Sequence, residues 1–366
     1  MLKHYAIYEL QPGMKLGKDV HNEQGASLAE KGTILTDAMI DGFDNWGIFS
    51  VVIDEPEKET EETVLSKANP TDEHLSNPDY ILNYRIKLTE LHVIYNKMAE
   101  TFEIDKDAVL RLVNDDRFWA LCKDSNAITQ LHGLDRSDEY IIHHSLNMGI
   151  LAGLMGIWLK MPEERRTHLV ISALLCDSGM LQIPLSIRAK KGKLEADEMN
   201  LIRRHTVLGR SMIAESGLDS ANDIADGVVQ HHERNDGSGY PKALRKEQIS
   251  DFGRILALVD IYDAMASNRN YAKRTSPFDI FQLLFDDIMN NKLDTEYGVC
   301  FVKNVCHSLN GAWGMLSSGE RAKIVFIDDS RVNAMPMVQT ESGKFIDLNT
   351  ASDVKLEYML TSEEIS

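Results

Sequence analysis

The chain has 366 residues, 43% of them hydrophobic, which is enough for two or three domains and a sizeable core. Its formal net charge of -18 argues against a nucleic-acid partner, because proteins that bind phosphate backbones carry a basic surface. The four cysteines show no CxxC spacing, and the start of the chain does not resemble a signal peptide. The longest apolar run, residues 148–159, is shorter than the roughly 20 residues of a membrane span, so we expect a cytoplasmic protein without one.

The first region, residues 1–54, is predicted to form a small β-containing module. Short alternating stretches are separated there by turn residues such as Pro12, Gly13 and Gly32, and the region ends in a strand-like run at residues 49–53. Residues 55–78 follow as an acidic linker, which is too polar to bury much apolar surface.

A helical region occupies the middle of the chain, and we divide it into a lead-in at residues 79–124 and a main domain at residues 125–310. Apolar residues recur there with a period near 3.6 in residues 81–98, 138–159, 163–175, 196–213 and 252–265. The apolar face of residues 81–98 fits either the core or a second copy of the chain in a homodimer.

The last region, residues 311–366, contains short strand-like runs at residues 322–327 and 335–339. We expect a small C-terminal β appendage and a tail. The predicted fold class is therefore mainly α, with β structure at both ends.

The most informative segment is HHERNDGSGYP at residues 231–241, which follows an apolar-periodic helix. Its adjacent histidines, His231 and His232, can face neighbouring positions, and neutral imidazole is the commonest metal ligand in proteins. The glycines reverse the chain, and Pro241 restricts the backbone after Tyr240, so that the aromatic ring is held beside the histidines. The segment therefore predicts the rim of a metal site.

Other polar residues stand where the helical period predicts core, namely His144, Asp177, His205, Asp260 and Asp263. A buried ionised carboxylate is costly unless it is paired or binds a metal, and facing helices of a bundle commonly build metal sites. Each residue alone has an ordinary structural explanation, because one hydrogen bond satisfies a histidine and an aspartate can cap a helix. Their combination favours a metal site, and a helical scaffold with one structural metal is the plainest alternative.

Two blocks carry a family resemblance. Residues 231–241 resemble the HHExxDGxGYP motif of the HD-GYP branch of the HD metal-dependent phosphohydrolases, and ALLCDSGMLQIP at residues 173–184 resembles that family's ALLHDIGKIGIP. Further similarity around His144, around His205 and in RILALVDIYDA at residues 254–264 extends the resemblance over roughly residues 125–290. The N-terminal module is also similar to a small domain often found ahead of HD-GYP domains.

The resemblance implies an HD-domain helical bundle that hydrolyses cyclic di-GMP, or a related cyclic dinucleotide, to pGpG or GMP at a centre of two iron or manganese ions. The implied metal ligands are His144, Cys176, Asp177, His205, His231, His232 and Asp260, with Asp177 also assigned to catalysis. The implied substrate contacts are Asp263, Arg269, Tyr240 and Arg234, of which Asp263 and Arg269 have ordering of the ligands as an alternative role. Residues Gly239, Tyr240 and Pro241 would form the loop that marks this branch and offers a face to a protein partner.

Several positions depart from the family pattern, among them Ala272, which stands where a basic residue is common, and Gln182 and Leu185, which replace a glycine and an acid. Cys176 replaces the histidine of the HD pair and offers a softer ligand, and Met180 replaces the lysine of HDxGK and so removes a cation near the scissile phosphate. Tyr140 stands where some members place a glutamate for a third metal, so we expect two metals or fewer.

Two hypotheses remain. The otherwise complete ligand set favours a phosphodiesterase with an altered metal site, because a site under no chemical demand has little need for so many buried polar groups. Met180 and Ala272 favour a catalytically degenerate member that binds metal or cyclic dinucleotide and acts as a signalling receptor or interaction scaffold.

Overall fold

A computed structural model describes residues 2–6, 10–21, 27–45, 50–54, 77–133, 140–190, 192–218, 223–266, 276–328, 334–351, 353–360 and 364. The chain divides into two units, residues 1–66 and residues 67–366. Helices dominate and the strands form small antiparallel sheets, which confirms the mainly α fold class.

The first unit contains two pairs of strands and a helix. Strand β1 (Leu2–Ala6) pairs with β4 (Ser50–Asp54), and β2 (Val20–His21) pairs with β3 (Ser27–Ala29), each pair being antiparallel. Helix α1 (Asp37–Asn45) lies between β3 and β4 in the chain. The apolar core of this unit includes Leu16, Leu35, Phe43, Val51 and Ile53.

The second unit is built on helices. Among the described residues, its first six helices are α2 (Pro78–Thr101), α3 (Lys106–Val113), α4 (Asp116–Lys123), α5 (Ala127–Gly133), α6 (Tyr140–Trp158) and α7 (Glu163–Leu175). The next four are α8 (Leu185–Arg188), α9 (Ala196–Arg203), α10 (His205–Ser216) and α11 (Asp223–Gln230). The last three are α12 (Asp251–Ala266), α13 (Pro277–Met289) and α14 (Thr295–Ser308), and 3₁₀ helices occur at Ser178–Gln182 and Lys246–Gln248.

Helix α6 lies at the centre of this unit and is buried around most of its circumference. Two of its glycines permit close packing, since a Cβ at Gly149 would meet Leu174 of α7 and a Cβ at Gly153 would meet Cys122 of α4. The helix is long and apolar enough to cross a membrane, but 78% of its apolar window is buried inside the protein, as in the core helix of a soluble domain. The same helix carries His144.

Helix α2 packs its apolar face into the core of the second unit. The helix begins at Pro78 after the cap Asn77, whose side chain accepts from the backbone N–H of Asp79. Its buried residues include Tyr80, Tyr84, Leu91, Ile94, Tyr95 and Met98, and they face α4 and α6. Of the two alternatives for this face, the structure therefore shows packing within the chain rather than a surface open to a second copy.

A five-stranded antiparallel sheet follows α14. It comprises β5 (Trp313–Leu316), β6 (Arg321–Phe326), β7 (Met337–Thr340), β8 (Phe345–Asp347) and β9 (Leu356–Met359), in the order β8-β7-β6-β5-β9. One face is buried through Leu316, Ala322, Ile324, Val338 and Leu356, which belong to the same core as the helices. The expected C-terminal β appendage is thus a sheet packed on the helical domain.

Candidate metal centre

Four residues bring their metal-binding atoms together. They are Asp177, His205, His231 and His232, and their ligand atoms all lie within 4.8 Å of one another. Asp177 follows α7, His205 is the first residue of α10, and the two adjacent histidines follow α11. Because each residue stands at a helix end, the packing of the helices sets the spacing of the ligands.

Hydrogen bonds to the backbone fix the tautomers of two of these histidines. Nδ1 of His205 lies 2.7 Å from the carbonyl oxygen of Ile202, and Nδ1 of His231 lies 2.7 Å from that of Val228. A carbonyl oxygen only accepts, so each Nδ1 carries the hydrogen and each Nε2 presents a lone pair. The two Nε2 atoms are 3.3 Å apart, and Oδ1 of Asp177 is 3.3 Å from that of His205. Three electron-pair donors in this arrangement repel one another unless a cation lies among them, which fits a divalent metal.

The second carboxylate oxygen of Asp177 faces another pair of predicted ligands. Nε2 of His144 lies 3.6 Å from Oδ2 of Asp177 and 3.3 Å from Oδ1 of Asp260. The other oxygen of Asp260 lies 3.5 Å from Nδ1 of His232. Asp177 therefore stands between two groups of ligand atoms, one on each of its oxygens.

Burial and nearby charges suit these groups to metal binding. Burial, followed by the charge of His205, lowers the pKa of His231 to about 4, and burial followed by the charge of His231 lowers the pKa of His232 well below its usual value. Burial opposes ionisation of Asp260, but the hydrogen bond from His144 and the charges of the histidines outweigh it and lower its pKa. At neutral pH the histidine pair is neutral and Asp260 is an anion, the forms that coordinate metals.

Asp263 lies against His144, one helical turn after Asp260 on α12. It is 2% exposed, and its Oδ2 lies 2.8 Å from Nδ1 of His144. Burial alone would lower the pKa of His144, but its hydrogen bonds to Asp260 and Asp263 raise it well above the usual value, so the pocket favours a positive charge. Of the two roles expected for Asp263, this position favours ordering of the ligands over contact with a substrate.

The thiol of Cys176 contacts its own helix. Its Sγ donates to the carbonyl oxygen of Ala173 at 3.2 Å, and the residue is 1% exposed. Burial, and then the charges of Asp177 and Asp260, raise the pKa of the Cys176 thiol well above its usual value, so the sulfur is a protonated donor rather than a thiolate. The structure therefore brings the six expected histidine and aspartate ligands together and leaves Cys176 bonded to its own backbone.

A buried carboxylate holds the turn after the histidine pair. Glu233 is 1% exposed, and it accepts hydrogen bonds from the backbone N–H groups of Lys242, at 2.7 Å, and Leu244, at 2.9 Å. Arg234 donates to the carbonyl oxygens of His231, at 3.2 Å, and Glu233, at 2.9 Å. Arg234 was expected to contact the substrate, and Glu233 had no predicted role. In the structure both side chains hold the backbone of the loop.

The GYP loop, residues 239–241, covers the histidine pair. A Cβ at Gly239 would collide with the backbone carbonyl oxygen of His232, so only glycine permits this close approach. The ring of Tyr240 lies 4.7 Å from that of His232, measured between centroids, and Pro241 is exposed. Tyr240 thus stands beside the histidines as expected, and the outer side of the loop faces solvent.

Arg203 is an exposed cation at this rim that was not predicted from the sequence. The guanidinium carbon of Arg203 lies 5.2 Å from the centroid of the Tyr240 ring, a cation–π distance. The position of Arg203 two residues before the ligand His205 was the sequence signal that could have indicated a functional role. Arginines near helix ends are common, so this signal is weak. The expected contact Arg269 falls in residues 267–275, outside the described residues.

Gly179 lets the backbone of the 3₁₀ helix Ser178–Gln182 approach that of α10. A Cβ there would collide with the carbonyl oxygen of His205 and lie 2.6 Å from the backbone nitrogen of Gly209. Backbone atoms cannot rotate away, so we expect Gly179→Ala to lower the free energy of unfolding by about 3 kcal/mol in urea titrations.

Gly149→Ala is the matched control for this prediction. Its Cβ would meet the side chain of Leu174, which can rotate, so the loss of stability should be smaller and the metal content unchanged. Equal losses of stability in the two variants would contradict the proposed backbone contact.

Comparison with known proteins agrees with this geometry. A family model described as HD domain matches residues 127–296, a range that contains all of the ligand residues above. The chain is 33% identical over 225 residues to a cyclic di-GMP phosphodiesterase of Pseudomonas aeruginosa, covering 62% of this chain and 53% of that protein. It is 27% identical over 180 residues to a 3'3'-cGAMP-specific phosphodiesterase of Vibrio cholerae serotype O1, covering 49% of this chain and 41% of that protein. The chain thus spans roughly half the length of these curated relatives.

A solved structure shows the same fold. The chain resembles an HDG"Y"P protein from Bdellovibrio bacteriovorus with a TM-score of 0.51 at 15% identity, over 82% of this chain and 98% of that chain. The matched domain, the helical fold and the HHERNDGSGYP segment agree with one another. Residues 127–296 therefore match an HD domain, and the HHERNDGSGYP segment within them supports assignment to the HD-GYP branch of that family.

Proposed function

We propose that this protein is a metal-dependent phosphodiesterase that hydrolyses cyclic di-GMP to pGpG or GMP in the cytoplasm. The observation that carries the proposal is the position of Asp177, whose two oxygens face two separate groups of histidine and aspartate ligands. Phosphodiesterases use such paired sites to clamp a scissile phosphate. The names of the relatives support a cyclic dinucleotide as the substrate.

The ligand set fits two divalent ions. His205, His231 and His232 would hold one together with Asp177, while His144 and Asp260 would hold the other, with Asp177 shared between them. Imidazole and carboxylate ligands suit iron and manganese, and the Sγ of Cys176 bonds to the carbonyl oxygen of Ala173 instead of joining the group of ligand atoms. Ions bound there would generate hydroxide at neutral pH and offset the charge that develops on the phosphate.

The residues at the rim would receive the substrate. Arg203 supplies an exposed positive charge beside the ligands, where it lies over the ring of Tyr240, and we propose that these two side chains contact the substrate together. This charge matters more here than in relatives with the HDxGK lysine, because Met180 supplies none. The exposed outer side of the GYP loop is the face that we propose for a protein partner.

Arg203→Met tests this assignment at the rim. The variant keeps an apolar stem over Tyr240 but loses the charge and the donors, so we expect KM for cyclic di-GMP to rise about tenfold with a smaller change in kcat. Arg204→Met is the control, because Arg204 is also exposed and adjacent, while Arg203 is the residue that lies over the ring. Equal changes in the two variants would contradict a specific role for Arg203.

The proposed function itself is tested by anaerobic purification, metal analysis and incubation with cyclic di-GMP. We expect linear pGpG or GMP in chromatography of the products, with about two iron or manganese ions per chain. A parallel incubation with 3'3'-cGAMP measures which cyclic dinucleotide is preferred. Bound metal with both substrates intact would overturn the enzyme assignment.

Two observations favour a second candidate, a receptor that binds the cyclic dinucleotide without useful turnover. Met180 removes the cation of the HDxGK motif, and Cys176 removes a histidine ligand. For such a receptor, equilibrium dialysis would show saturable binding of cyclic di-GMP and no product.

A further inference from the structure

A chain of buried hydrogen bonds leads from helix α2 to the ligand His144. The hydroxyl of Tyr84 on α2 donates to Oδ1 of Asn147 at 2.9 Å. Nδ2 of Asn147 donates to Oδ1 of Asp263 at 2.9 Å, and Oδ2 of Asp263 accepts from Nδ1 of His144 at 2.8 Å. All four residues are at most 3% exposed.

The chemistry of the donors and acceptors fixes the direction of the hydrogen bonds to Asp263. An ionised carboxylate only accepts, so Asp263 must receive hydrogens both from Nδ2 of Asn147 and from Nδ1 of His144. A flipped Asn147 amide would set its oxygen against a carboxylate oxygen, acceptor against acceptor. In the orientation that Asp263 requires, the amide oxygen of Asn147 accepts from the hydroxyl of Tyr84, which also lies 3.2 Å from Nδ1 of His143.

The last link decides which nitrogen of His144 faces the metal-binding atoms. Because Nδ1 donates its hydrogen to Asp263, Nε2 is the nitrogen that faces Asp177 and Asp260, at 3.6 and 3.3 Å, and it becomes a ligand atom when a cation replaces its proton. A carboxylate hydrogen-bonded to a ligand histidine fixes the orientation of the ring and raises its basicity as a ligand. The position of Asp263 therefore controls the position of His144.

We propose that Tyr84 and Asn147 are positioning residues of the metal centre, which act through Asp263 to hold His144 in its coordinating orientation. Tyr84 belongs to helix α2, which precedes the HD domain match at residues 127–296. The metal centre is thus completed by a helix from outside that domain. This inference rests on the proposed metal-binding function.

Tyr84→Phe tests the inference because it removes the hydroxyl and keeps the ring in the core. With Mn²⁺ alone as the probe, we expect isothermal titration calorimetry to show an affinity about tenfold weaker than that of the wild type. We also expect a smaller rise in Tm on addition of Mn²⁺. A purely structural role would lower the Tm of the metal-free and metal-loaded proteins alike and leave the affinity unchanged.

Tyr80→Phe provides a matched control on the same helix. Tyr80 is as buried as Tyr84, at 2% exposure, but its hydroxyl lies 3.5 Å from the carbonyl oxygen of Ala127 instead of contacting Asn147. The same substitution should therefore leave the Mn²⁺ affinity unchanged. Equal losses of affinity in the two variants would overturn the inference.

A double-mutant cycle tests whether Tyr84 acts through Asn147. We expect Asn147→Ala to weaken Mn²⁺ binding, and Tyr84→Phe to have no further effect in the Asn147→Ala background. Additive losses would overturn the relay. If the wild type itself does not bind Mn²⁺, the proposed metal centre fails, whereas wild-type binding with an unchanged Tyr84→Phe variant overturns only the positioning role.

Discussion

Asp177→Ala is expected to reduce the metal content of the purified protein to background. Its two oxygens face the ligand groups of His205 and of His144, so one substitution removes a ligand from both. Hydrolysis of cyclic di-GMP should fall by about a thousandfold or more, because bound metals contribute several kcal/mol to such reactions. Elemental analysis and product chromatography on the same preparation measure both effects.

Asp226→Ala is a suitable control, because the Asp226 carboxylate is 39% exposed and lies 4.0 Å from Arg210 on the surface. It removes the same charge from the chain and should leave metal content and hydrolysis unchanged. Retention of the wild-type metal content by Asp177→Ala would refute the site.

Met180→Lys is expected to raise the rate of hydrolysis by about a hundredfold, because the lysine restores a cation near the scissile phosphate. Residue 180 is half-buried on the 3₁₀ helix that directly follows Asp177, and its backbone N–H donates to the carbonyl oxygen of Asp177 at 2.9 Å. The backbone is therefore fixed next to the ligand, and the new side chain starts from a defined point. Single-turnover kinetics on the metal-loaded protein would measure the chemical step directly.

Leu185→Lys separates this effect from a general gain in positive charge. Leu185 is 59% exposed on α8, outside the ligand groups, and the same substitution there should leave the rate unchanged. No gain in Met180→Lys would indicate that the missing histidine at position 176 limits the reaction instead.

The ligand residues could be predicted because their polarity conflicts with their surroundings in the sequence. His144, Asp177 and Asp260 interrupt apolar helical patterns, and a buried polar group needs a partner wherever it lies. Asn147 gives the same signal, since it follows His144 by three residues on the most apolar helix, but an asparagine has many ordinary partners. Tyr84 gives no signal, because a tyrosine on the apolar face of a helix is normally a core residue.

Contacts that depend on side-chain direction were beyond the sequence. Cys176 aligns with a family ligand, yet burial and two neighbouring carboxylates favour the neutral thiol, which bonds to Ala173. The start of one strand also differs from the prediction, for a local reason. The run expected at residues 335–339 begins as β7 at Met337, because Pro336 has no N–H to donate to a neighbouring strand.

Two glycines, Gly179 and Gly239, bring neighbouring backbone segments against residues that are proposed to bind the metals. Gly179 rests on the backbone at His205, and Gly239 rests on the backbone of His232, so neighbouring segments fix both ligands through main-chain packing. The helices that deliver the ligands share a large apolar core. In zinc fingers the metal supplies the folding free energy of the domain, whereas we expect the apolar core to supply most of it here. We therefore expect a preformed metal site, in which one metal ion can be exchanged for another without unfolding of the chain.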